Sequence, residues 1–133
     1  MSLAELDDMI ATLQRLDGED VERAVAARAA PLLDAAVKRT TRAGQDPDGK
    51  PWPERKAGGQ ALEHAADHIT TRAAGSLVRM TLTGPDVFHH FGATRGGVRR
   101  QVIPDAGAGI PDVAVRIITQ AARDELAARV GGR

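Results

Sequence analysis

Four histidines and several close-set carboxylates are the side chains with the most chemistry to offer. His64 and His68 stand four apart, which on a helix would put both imidazoles on one face, as in a zinc protease helix. That chemistry needs a glutamate directly after the first histidine as general base, and Ala65 stands there instead. His89 and His90 are adjacent and point different ways on any regular element, so they do not converge on one ion. The segment Asp46-Pro47-Asp48-Gly49 could open a calcium loop, but the further oxygen ligands and the closing glutamate are missing, which leaves a tight turn. Asp7-Asp8 and Glu19-Asp20 fall on helix surfaces or starts, where solvation and the helix dipole account for them. Cysteine is absent, no serine sits in a nucleophile elbow, and no Gly-x-x-x-x-Gly-Lys phosphate loop occurs. Neither an enzyme nor a metal or cofactor site is expected. One local positive patch remains, Arg95, Arg99 and Arg100 among glycines. It could contact an acidic surface of a neighbouring subunit or the phosphates of DNA, though without aromatic side chains it offers no stacking for single strands.

Periodicity supplies the elements that must position these groups. Leu3, Leu6, Met9, Ile10, Leu13 and Leu16 recur at threes and fours, which predicts an amphipathic helix over 2–16. Ser2 is its N-cap, Glu5 completes a capping box, and Asp17-Gly18 is its stop. A second helix is expected from Glu19 or Asp20 to Arg42, with Val21, Val25, Leu32, Leu33, Ala36 and Val37 toward the interior. Pro31 removes a backbone donor within it and predicts a kink or a break into two helices. Prolines and glycines over 44–60 predict a loop anchored by the sole tryptophan, Trp52. After a weakly helical or irregular stretch, 69–73 and 77–83 predict a β-hairpin across Ala74-Gly75-Ser76, with Val78, Met80 and Leu82 facing inward.

A single helical turn capped by Asp86 is expected over 86–91, followed by a mobile glycine-rich loop over 92–109. Within that loop Gln101-Val102-Ile103-Pro104 is an apolar island suited to a short edge strand. A last helix should begin near Pro111 and stop at Gly131-Gly132. The fold class is thus α+β, with N-terminal helices, a small antiparallel hairpin or sheet carrying a long glycine-rich loop, and a C-terminal helix. One domain spans 1–133, divided into a helical region (1–43), a Pro/Gly loop (44–60), the hairpin and mobile loop (61–110) and the last helix (111–130).

Composition limits what such a domain can do. Lysine and arginine together number 18, as do aspartate and glutamate, so no global field draws the chain to nucleic acid or to an anionic membrane. No apolar run approaches the roughly 20 residues that span a bilayer, and the acidic N-terminus lacks the basic start of a signal peptide. Synthesis in the cytoplasm is expected. Aromatic residues make up 2% of the chain, so the interior must rely on Leu, Val, Ile and many alanines, a thin core that association would supplement.

Three motifs in order resemble the phage virion morphogenesis and tail completion proteins. They are Pro47-Asp48-Gly49-Lys50-Pro51-Trp52-Pro53 after the N-terminal helices, Phe88-His89-His90-Phe91-Gly92 after the hairpin, and Arg100-Gln101-Val102-Ile103-Pro104 before the last helix. His90 stands where that family usually has Gln, and Asp105-Ala106-Gly107 replaces its arginine and aromatic residue. The resemblance implies an α+β structural subunit that forms a ring, often a hexamer, at the head–tail junction or the tail end of a virion. Its partners would be copies of itself and neighbouring tail or connector proteins, with contact to DNA in a channel as an option and no cofactor. Carried over, Trp52, Phe88 and Phe91 would be structural anchors, His89 and Gly92 would shape the turn, and the loop with Arg95, Arg99 and Arg100 would reach a neighbour. The reading of another class is a small DNA-binding or regulatory protein, using those three arginines with Lys38, Arg39 and Arg42.

Overall fold

The structure, a computed structural model, describes residues 2–15, 17–55, 62–92, 98–104 and 109–131. Its elements are α1 (Leu3–Arg15), α2 (Gly18–Arg42), a 3-10 turn (Ala65–His68), β1 (Ile69–Ala74), β2 (Leu77–Leu82), α3 (Asp86–Phe91) and α4 (Asp112–Gly131). The arrangement is α+β.

Local chemistry sets the helix ends. The capping box on α1 forms in both directions: the Glu5 amide donates to Ser2 Oγ at 3.1 Å and the Ser2 amide donates to Glu5 Oε2 at 2.6 Å. Asp17 then caps α2, its Oδ1 accepting from the Glu19 and Asp20 amides. The helix runs unbroken through Pro31, so the division into two helices does not occur. Pro31 itself is exposed, while Ala26, Ala29, Ala30 and Leu33 around it are buried. The carbonyl that the proline leaves without a helical donor belongs to Ala27, which is also exposed and so open to solvent.

The hairpin has the expected faces. Ile69 pairs with Leu82, Thr71 with Met80 and Ala73 with Val78, and in each pair at least one member packs toward the helices. Asp34 on α2 reaches this sheet: its Oδ1 accepts from the Thr71 amide at 3.1 Å while Oδ2 pairs with Lys38 at 2.7 Å. Burial pushes the Asp34 carboxyl up, but the Lys38 ammonium and the Thr71 amide outweigh it, and the group sits below its ordinary value.

Helix α4 packs antiparallel to α2. Arg129 donates to the Asp20 carbonyl at one end, Arg28 pairs with Glu125 at 2.5 Å, and Ala121 meets Ala29 and Leu33 farther along. Small residues at this seam let the helices approach closely. The interior falls into two clusters. One gathers Val37, Trp52, Ala65, Ile69 and Val102, and the other Ala29, Leu33 and Ala121. Leu32, expected inside, is 53% exposed because it lies a quarter-turn beyond the face that Leu33 and Val37 present to the core.

The sheet has two strands among the described residues, and 101–104 is not a third. That segment instead runs through the first cluster, and its Val102 is completely buried.

Candidate functional site

The three motifs meet in space, inside the molecule. Asp46 closes the first: its Oδ1 accepts from the Asp48 and Lys50 amides, each at 2.9 Å, so the carboxylate is spent on the turn. Gly49 there takes a φ of 86°, the left-handed conformation that glycine adopts without strain. Trp52 follows with its ring in the core, and its indole Nε1 donates to the Gln101 carbonyl at 2.7 Å, tying the first motif to the third.

The second motif forms α3 and ends at Gly92, whose φ of 73° and amide bonds to the His89 and Phe88 carbonyls make the C-terminal cap. Gly92 thus shapes the turn as expected. His90 is the side chain that enters the core, at 3% exposure, and its Nδ1 accepts from the Val102 amide at 3.1 Å. An accepting Nδ1 carries no proton, so this is the tautomer with the proton on Nε2. Phe88 and Phe91, expected as anchors, lie 59% and 67% exposed. They share one side of α3 at the three-residue spacing, and the turn sends that side outward while His90 goes in. Phe91 meets the His90 ring edge-on with centroids 4.8 Å apart. His89 is half-buried, and its carbonyl accepts from the Gly92 and Arg100 amides.

The basic loop also departs from expectation. Arg100 is buried: its Nε donates to the Pro53 carbonyl at 3.0 Å and its Nη2 to the Glu54 carbonyl at 3.2 Å. Rather than reaching a neighbour, it pins the end of the Trp52 loop to α3 and the third motif. Arg99 is exposed but donates to the His90 carbonyl at 2.9 Å. Arg95 lies outside the described residues, as does half of the glycine-rich stretch, 93–97 and 105–108. The described part of that stretch, 98–104, is tied in at Arg99, Arg100, Gln101 and Val102.

The polar candidates resolve similarly. His64 precedes the 3-10 turn and His68 ends it, so the four-residue helical face they needed is absent. His68 Nδ1 instead pairs with Asp86, whose carboxylate therefore does not cap α3; Pro85 holds that cap position. Among the described residues no three His, Cys, Asp or Glu side chains converge as a metal site.

The molecule also presents large apolar side chains outward. On α1, Leu3, Leu6, Met9, Ile10 and Leu13 are all at least 40% exposed. Leu32, Leu77, Ile110, Val115, Leu126 and Val130 join them elsewhere. Among the described residues no helix is long and apolar enough to cross a membrane. No family model, curated protein or solved structure matches the chain. The outward face and its charges must therefore carry the functional argument. Between α2 and α4 lies an open groove lined by Leu32, Ala35, Val113 and Ile117 together with Arg39, Arg116 and Gln120. Sequence reasoning missed this groove, because Leu32 was assigned to the interior. The available signal was the pair of small residues Ala35-Ala36, which leave a trough beside Leu32.

Proposed function

We propose that this chain is a structural subunit of a bacteriophage virion, acting in tail completion or head–tail joining through contacts between copies of itself and with neighbouring tail or connector proteins. It is made in the host cytoplasm, works in the tail or neck of the particle, and has no catalytic role. The observation that carries the assembly reading is an inversion of size. Alanines fill much of the buried interior, while leucines, isoleucine, methionine and phenylalanines lie on the surface. Monomeric proteins expose single apolar side chains freely, but a run of them along one helix marks a surface that another protein covers.

The phage assignment rests on the order of the three motifs, and their joint use in one interior node supports reading them as a unit. The burial of Arg100 weighs against the DNA-binding alternative, as does the pairing of Lys38 with Asp34.

Negative-stain electron microscopy of the purified protein tests the proposal. Closed rings with a central opening are expected. Salt-sensitive DNA binding by a protein that forms no ring would favour the alternative instead.

A further inference from the structure

The geometry points to helix α1 of one copy lying in the α2/α4 groove of the next, a head-to-tail contact that closes a ring. This rests on the assembly reading above and names the two surfaces that would carry it. Donor and acceptor match in shape and in charge. At 100° per residue, Leu3, Leu6, Met9, Ile10 and Leu13 cover about a third of the α1 circumference, with Glu5 flanking one side of the stripe and Asp7 the other. The groove is lined by Leu32, Ala35, Val113 and Ile117, and Arg39 on α2 and Arg116 and Gln120 on α4 line it with them. Neither arginine side chain has an ion-pair partner among the described residues. An acid-edged apolar helix and an apolar trough that carries two arginines are electrostatic complements, which favours this choice of partner.

The occupant must come from a second copy. Helix α1 has 13 residues and is joined to α2 through residues 16–17 alone. At 1.5 Å per residue it spans about 20 Å, whereas Leu32 lies about 21 Å along α2 from Gly18 and Arg39 farther still. Folded back on its own α2, α1 would bring only its first residue level with the groove. A second apolar depression, lined by Val21, Val25, Leu77 and Ile110, lies within its reach, but Glu22 borders that one and repels an acidic helix. A contact between two different surfaces is heterologous, and it yields a ring where its rotation closes and an open filament where it does not.

The chain has no cysteine, so single cysteines report the contact directly. Met9→Cys is placed on α1 and Ala35→Cys in the groove, each in the otherwise unchanged full chain, and the two proteins are mixed and mildly oxidised. A disulfide-linked dimer containing one of each is expected. Adding Arg39→Glu and Arg116→Glu to the groove partner should lower its yield about tenfold. No mixed disulfide between proteins that still form multimers by light scattering would overturn the docking and leave the assembly reading standing. Efficient self-linking of Met9→Cys alone would overturn it too, in favour of α1 pairing with α1. Two monomeric proteins without cross-links would sink both.

Discussion

His90 and Arg100 show how a residue's type can be read correctly and its direction missed. Both occupy motifs that the sequence singles out, yet the exposed pair Phe88 and Phe91 was expected inside and Arg100 outside. Burial followed hydrogen-bonding capacity. The fork of Arg100 satisfies two carbonyls of the Trp52 loop, and His90 offers the acceptor that the buried Val102 amide requires. No periodicity encodes such bonds, because they join residues 12 to 47 apart in sequence. Trp52 was legible because a lone indole beside a proline turn has few other uses. Two tests belong at this scale. Arg100→Ala should destabilise the subunit by about 1.5–3 kcal/mol in urea unfolding, the range for hydrogen bonds from a charged group. Unchanged stability would return Arg100 to the surface role. His90→Gln keeps an acceptor and should cost less than about 1 kcal/mol, whereas His90→Leu strands the Val102 amide and should cost about 1–3 kcal/mol by the same measurement.

The helices and hairpin were legible because each carries its own period and its own stops. Ser2 with Glu5 announced α1, alternation announced β2, and Pro111 announced α4. What failed was context. Pro31 sits on the exposed side of α2, so its broken bond costs little there and the helix continues. The island at 101–104 reads like a strand but serves as core lining beside Trp52. Pairing between α2 and α4 yields a test by pH. Hydrogen bonds from Arg28 and Arg129, each to a different oxygen of Glu125, hold its carboxyl below its ordinary value of 4.5. The folded state then binds fewer protons than the unfolded chain, so the stabilisation is complete above that value and is lost as the pH falls through the lower folded one. Asp34 acts in the same direction from its ordinary value of 3.8. Unfolding midpoints should therefore drop on acidification below about pH 5, and Glu125→Gln should both lower the midpoint at neutral pH and flatten the drop. An equally steep acid dependence in Glu125→Gln would show that the α2/α4 pairing is not its source.

For the whole molecule, the balance of burial favours association. Covering a fully exposed large apolar side chain contributes about 1.5–3 kcal/mol, and since those along α1 are already partly buried, the stripe offers on the order of 5 kcal/mol. That is comparable with the roughly 4–15 kcal/mol that two proteins lose in freedom on binding, which makes assembly marginal with α1 alone and secure once other surfaces join. With a net charge of zero, no long-range repulsion opposes copies of the chain meeting. Light scattering on a size-exclusion column, across a wide range of protein concentration, tests the central claim most directly. The account predicts a discrete multimer whose mass is a whole-number multiple of the 14.0 kDa chain and which dissociates only on dilution. A monomer at every concentration, unchanged by added tail proteins, would contradict it.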